Sequence, residues 1–300
     1  MWLELQIFGF RALWSPYFLI FIVGLAVAYY LITTVYRKKL GGSNKPSGKQ
    51  QAYFYIGLLL LYLVKGSPID LLSHIMLTAH MIQMAIFYFI FPIFIYKGIP
   101  KWIWERVVDF KYVKPIFTFM TKPLIALLVF NVLFSIYHMP AIFDFSKASQ
   151  FAHSSISVIL LIFAFIMWWP IVSPIKEMDT LKPLLKMAYL VASAAIITIA
   201  CALLIFASNP VYSAYTSEGA WLQALSLCVP GDVLDGLQFT LSGPEMFSPL
   251  SIMEDQQLGG IIMKFVQEIV YGILLARIFF KWFSKRNLKV DPVPKTLENY

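Results

Sequence analysis

Long apolar runs broken by short polar stretches organise this chain, at about 16–36, 52–65, 73–96, 123–139, 151–172, 187–208 and 257–280. A bilayer core needs roughly 20 residues of helix, and most of these runs approach that length. The second is short, with an uninterrupted stretch from Ala52 to Val64 that Gln50, Gln51 and a snorkelling Lys65 extend. The fourth is short as well. Backbone polar groups in lipid must bond within their own segment, so the runs predict helices rather than strands. The expectation is an all-α polytopic bundle of about seven transmembrane helices over residues 1–286. Residues 209–256 form its longest loop and 287–300, with Pro292 and Pro294, a mobile tail.

Composition points the same way. Apolar residues make up 59% of the 300, charged residues only 13%, and the mean hydropathy is +0.73. A soluble domain carries nearly twice that charged fraction. The net charge of +8 raises the question of nucleic acid. The cations, however, sit in short loops rather than on one soluble face, which argues against that partner and leaves membrane lipid as the surrounding phase.

Their distribution orients the chain. Segments 37–51, 97–122, 173–186 and 277–300 hold 5, 6, 3 and 6 Lys and Arg, 20 of the 24. Elsewhere there are only Arg11, Lys65, Lys147 and Lys264, and 209–256 has none beside six acidic residues. The positive-inside rule then predicts seven crossings of the cell membrane, amino terminus outside and carboxyl terminus in the cytoplasm. The start, MWLELQIFGFRALW, lacks a basic leader and a small-residue cleavage pattern, so no cleaved signal is expected. Cys201 reads as a small apolar residue of a span, and Cys228 stays open.

This topology collects the rare reactive side chains on the outer side. His74 and His80 lie at the outer end of the third run, His138 at that of the fourth, and His153 opens the fifth; these are all four histidines. Met76, His80 and Met84 recur at i, i+4, i+8 and would share one helical stripe, while Met81 and Met139 follow two of the histidines. Imidazole and thioether together suit soft Cu(I). Asp70, four residues before His74, would orient its imidazole, and Asp144 and the Asp255-Gln256 pair lie on the same side. The plainer readings are an interfacial histidine with its tip in water and methionines used for packing.

Other features carry less. Lys264 and Glu268, four apart in the last run, read as an interior ion pair. Trp168, Trp169 and Pro170 read as the inner aromatic belt of the fifth span. The loop GGSNKPSGKQ at 41–50 has the wrong spacing for a phosphate cradle and joins two spans, so it reads as a linker. There is no HExxH and no nucleophile–histidine pairing, so no enzyme is expected.

With those residues in view, the chain resembles the membrane-embedded CtaG family of cytochrome c oxidase assembly factors over about 15–285. The matching pieces are SPIDLLS at 67–73, HMIQM at 80–84, HMPAIFD at 138–144, a histidine-led span ending in WWP at 153–170, and DQQLGGIIM at 255–263. The resemblance implies a role in forming active caa-type oxidase, with oxidase subunits as partners and copper handled at the outer face. Family members often carry a second histidine where this chain has Met84, and another just before His153, where it has Ser149-Gln150-Phe151. The implied set is therefore mixed, with His80, His153, His138, Met84 and His74 as candidate copper ligands. Asp70, Met76, Met81, Asp144, Asp255 and Gln256 would support them. The alternatives are a haem-handling protein, with histidines as axial ligands, and a metal-free scaffold.

Overall fold

The computed structural model describes residues 2–237, 240–241 and 243–287. Those residues are helical or irregular and contain no strand. Five helices are long and apolar enough to cross a membrane alone: Gln6–Val35, Leu77–Gly98, Gln150–Val172, Pro183–Ile205 and Ile252–Ser284. Two bent pairs bring the count to seven: Gly48–Lys65 with Pro68–Ile75, bent by 42°, and Val113–Met120 with Pro123–Tyr137, bent by 81°. In chain order these are spans one to seven. The tail expected at 287–300 lies outside the described residues beyond Asn287.

Span three, Leu77–Gly98, is the hub. Buried residues make up 72% of its most apolar stretch, against 17% for span one. It packs on spans two, five and seven, while span six lies along span seven and span four touches five and six. Where lipid is the alternative partner, apolar burial alone holds helices together weakly, so close packing and internal polar bonds matter more. Asn131 of span four is fully buried; its amide donates to Ser193 of span six at 3.1 Å. Ser193 in turn meets the Tyr271 hydroxyl of span seven at 3.0 Å. One polar chain thus ties three spans.

Near the other end of span three, Gly98 lets span two approach closely. A Cβ there would lie 2.6 Å from both N and Cα of Phe54. The Tyr29 hydroxyl of span one donates to the Gly98 carbonyl at 2.9 Å, and its ring stacks on Phe54 at 3.8 Å.

Several elements depart from the sequence expectation. The third run was expected to begin at 73, but the chain leaves helical geometry at Met76 (φ −137°, ψ 144°). Residues Pro68–Ile75 instead continue span two after a break at Gly66 and Ser67. The fifth-span tryptophans are not a lipid-facing belt: Trp168 and Trp169 are buried. The Trp168 indole donates to Tyr88 O at 2.9 Å, and Trp169 packs edge-on against Phe117 at 4.7 Å. Lys264 and Glu268 do pair, but the Glu268 side chain is 53% exposed, so the pair sits at the bundle's lateral face rather than in its interior. Lys264 also donates to Thr198 of span six at 2.6 Å.

The described residues of 209–256 are largely folded onto the bundle. Helix Glu218–Leu225 carries a second core in which Trp221, Leu225 and Phe247 meet Leu5, Phe8 and Leu13 from the start of the chain and Leu71 and Ile75 from helix Pro68–Ile75, while Ala214 and Tyr215 of helix Ser213–Thr216 join the main core. This cap closes the end of the bundle that holds the histidines.

Candidate functional site: a buried histidine chain under the cap

Short local signals set each histidine in place. Ser67 caps helix Pro68–Ile75, accepting the Ile69 N–H at 3.3 Å, and Pro68 supplies a pre-set φ for its first turn. The helix ends at Ile75, which leaves His74 in its last turn. Span three restarts at Leu77, and no local residue caps it. The Asp255 carboxylate of span seven accepts the Leu77 N–H at 2.6 Å and the Thr78 N–H at 3.2 Å, and Thr78 donates back to Asp255 O at 2.9 Å. A carboxylate at a helix N-terminus also meets the positive end of the helix dipole. His80 therefore lies in the first turn of span three. Pro140 restarts the chain after His138 as helix Pro140–Lys147. Ser149 caps span five four residues before His153, accepting the Ala152 N–H at 3.4 Å.

All four histidines are buried. The reading of interfacial rings with tips in water does not hold for any of them. His74 and His153 face each other with ring centroids 5.2 Å apart. His80 Nε2 lies 3.5 Å from the Tyr137 hydroxyl, its ring meets Phe143 edge-on at 5.1 Å, and Tyr137 meets the ring of His138 at 5.1 Å. Lys147 connects the two halves: its Nζ is 5.6 Å from the Phe143 ring centre, 3.2 Å from His74 Nδ1 and 3.1 Å from Ser73 O. The order is a chain, His138–Tyr137–His80–Phe143–Lys147–His74–His153, rather than one centre. Among the described residues no group of three or more His, Cys, Asp or Glu is arranged to hold a metal ion.

The ring nitrogens are unequally served. His138 Nδ1 donates to Phe134 O at 2.7 Å, which leaves the lone pair on Nε2. That Nε2 is buried without a partner, as are His80 Nδ1 and His153 Nδ1. Leaving such an atom unsatisfied costs about 1–3 kcal/mol. An imidazole whose far N–H is held by a backbone carbonyl is also the usual arrangement of a metal ligand.

The supporting residues act differently from expectation. Asp70 does not orient His74; it accepts from Gln83 Nε2 at 2.7 Å and faces Lys65 at 3.5 Å. Met76 sits in the break and shares no helical stripe with His80 and Met84, which are on span three. Met81 and Met84 are core residues, whereas Met139 is exposed. Asp144 accepts the N–H groups of Ser213 and Ala214, both at 3.0 Å. Gln256 accepts the Val211 N–H at 2.8 Å. Asp144, Asp255 and Gln256 thus fasten the cap and the break, and none of them touches a histidine.

Residues that sequence reasoning missed complete the site. Tyr212 donates to His138 O and Tyr215 to Ser73 O, each at 2.8 Å, so the cap is bonded to the backbone beside two histidines. Lys147 had one signal, being a lone cation on a side otherwise almost free of them. Burial pushes its ammonium down to about 7, and the neighbouring Lys65 adds to the fall. A cavity of about 590 Å³ reaches this region, lined by Lys65, Asp70, His74, Gln150 and His153 on one side and by Phe18 and Phe87 on the other. That volume is typical of small-ligand sites.

Fold and site together define a polytopic membrane protein with a capped, imidazole-rich end. The family described as cytochrome c oxidase caa3 assembly factor (Caa3_CtaG) matches residues 27–285, and the chain belongs to that family. No curated protein and no solved structure matched it.

Proposed function

We propose that this assembly factor holds Cu(I) as cargo among the histidines under the cap and presents it to a subunit of the oxidase. The observation that carries the reading is the set of unpartnered buried ring nitrogens, above all His138 Nε2. Neutral imidazoles suit a soft cation, and the one carboxylate lining the cavity, Asp70, is already engaged by Gln83 and Lys65 and so is not offered to a hard one. His80, His138 and His153 are the proposed ligands, taken as successive stations along the chain of rings and not as one three-imidazole shell. His74, turned to Lys147, and Met84 stand beside them. The cavity at His74 and His153 gives the ion a way in. On the Lys and Arg bias, the histidine end faces outward and the protein lies in the cell membrane. His80 and Lys97 are 17 residues apart on span three, so about 25 Å of helix separates the site from the basic end. Copper taken up and released at one face never crosses the bilayer centre, which spares it the cost of a charge in hydrocarbon.

A second reading, a scaffold that needs no metal, is favoured by Lys147, a cation against His74 that repels a second one. One experiment separates them. Purified protein is loaded with Cu(I), and copper content and oxidase formation are measured for wild type, His138→Ala and a His80/His153 double alanine variant. Copper that binds the wild type and is lost together with oxidase formation supports the proposal. Variants that form oxidase normally without copper leave only the scaffold. A Soret band in the purified protein would indicate haem instead.

A further inference from the structure

The opposite end of the bundle holds a second cavity, of about 610 Å³, between the ends of spans three, five, six and seven. Four cations line it: Lys97 closing span three, Lys176 in the connection after span five, and Arg277 and Lys281 one turn apart on span seven. A fifth, Lys186, is neutralised by Asp179 at 2.7 Å. Among the described residues, none of the first four makes an ion pair within 4 Å, and Lys176 only feels its chain neighbour Glu177, which is itself paired with Lys101; Lys97 rests on the Tyr53 ring at 5.5 Å. A loop-charge bias alone scatters cations along a membrane face. Here they converge on one cavity whose remaining wall, apart from Ser173 and the Lys186–Asp179 pair, is apolar, with Ile278 and Trp282 among its residues.

We infer that this cavity binds the phosphate headgroup of an anionic phospholipid. Convergent cations supply the charge complement, and basic pockets between transmembrane helices are suited to such headgroups. The helix face adds the second half of an amphiphile. Ile269, Ile273, Arg277 and Lys281 follow one i, i+4 ridge of span seven, and both isoleucines are about half exposed. An acyl chain lying along the isoleucines brings its phosphate to Arg277 and Lys281. A free phosphate ion has no use for the apolar wall, whereas a lipid contacts both. Trp282 stands where an interfacial indole is favoured. The site is independent of the histidines and stands whatever they bind.

The test uses the full chain in a neutral detergent, with phosphatidylglycerol, phosphatidylcholine and inorganic phosphate as probes. Bound lipid is counted by native mass spectrometry, and thermal unfolding is followed in parallel. Phosphatidylglycerol should bind and raise the unfolding midpoint, and the other two should not. Each cation near an anionic headgroup contributes about a fivefold change in affinity, so R277Q/K281Q should bind about 25-fold more weakly. Lys38→Gln with Lys39→Gln, remote cations on the same side, should bind as wild type. If R277Q/K281Q unfolds early, K176Q, on an exposed residue of the connection, takes its place, with about a fivefold loss expected. Equal binding of phosphatidylcholine, full binding by the cavity variants, or the same stabilisation by inorganic phosphate alone would each overturn the inference.

Discussion

Lys147 Nζ lies 3.2 Å from His74 Nδ1, with the residue buried midway along the chain of four histidines. A lysine in such a place is held by Ser73 O and an imidazole, and no carboxylate faces it within ion-pair distance among the described residues.

Replacing Lys147 by Met should therefore stabilise the protein, most at low pH, because the fold no longer has to hold an ammonium without a carboxylate. Ser73 O keeps its bond from Tyr215, and His74 Nδ1 loses a partner, which limits the gain. The sign with pH follows from the amine being held near 7 in the fold against 10.5 when unfolded. Between those values the unfolded chain binds one more proton, so stability rises with pH by up to about 1.4 kcal/mol per unit, and below 7 the cost of the buried charge is fully present. Unfolding midpoints in detergent at pH 6.5 to 9 check this: wild type should climb and Lys147→Met should stay flatter. A flat wild-type profile would show that the amine does not titrate there.

Asp255 closes the break at Met76 from 177 and 178 residues away in sequence. Asp255→Ala leaves two N–H groups of span three without their acceptor and should cost about 1–3 kcal/mol, with Asp255→Asn milder. Amide exchange should accelerate at Leu77 and Thr78 in particular. Unchanged protection at those amides would mean that the carboxylate is not what holds the turn.

Gly98→Ala and Gly24→Ala should part company. The first drives a Cβ into the Phe54 backbone at 2.6 Å, where no side chain can rotate away, and overpacking of this kind costs about 1–3 kcal/mol. The second adds a methyl with nothing within 4 Å and removes a helix glycine, a change worth about 0.5–1 kcal/mol in favour of the fold. Comparing the two unfolding midpoints decides the matter, and equal effects would contradict the packing described for spans two and three.

Asn131 and Ser193 should be coupled. Each alanine substitution removes one end of the bond between spans four and six, and the double variant should cost less than the sum. In a membrane the interaction term is expected near 0.6 kcal/mol, because the unfolded chain in detergent finds substitutes. Strict additivity in the cycle would show that the bond contributes nothing of its own.

Much of the fold is legible in the apolar runs because the bilayer imposes its thickness on each one. Ser67-Pro68, Ser149 and Pro140 likewise announce helix starts through chemistry confined to a few neighbours. The bend after Lys65 and the break at Met76 were missed for the same reason in reverse. No Gly or Pro marks the break at Met76, and the carboxylate that closes it is far along the chain. The site divides in the same way. The histidines gather at one end, as run boundaries suggest, but their burial comes from the cap. Its Tyr212 and Tyr215 have no distinguishing pattern of their own.

By itself, then, the sequence determined which segments are helical and membrane-length, where cations collect, and which four imidazoles share an end of the bundle. Each of these depends on composition over a window of residues, which a linear string records. Only the tertiary structure decided that Lys147 meets His74, that Asp70 serves Gln83 instead of an imidazole, that Asp255 starts span three, and that four cations surround one cavity. Those pairings link residues on different helices, and their reach and direction depend on how whole helices cross, which no local spacing encodes.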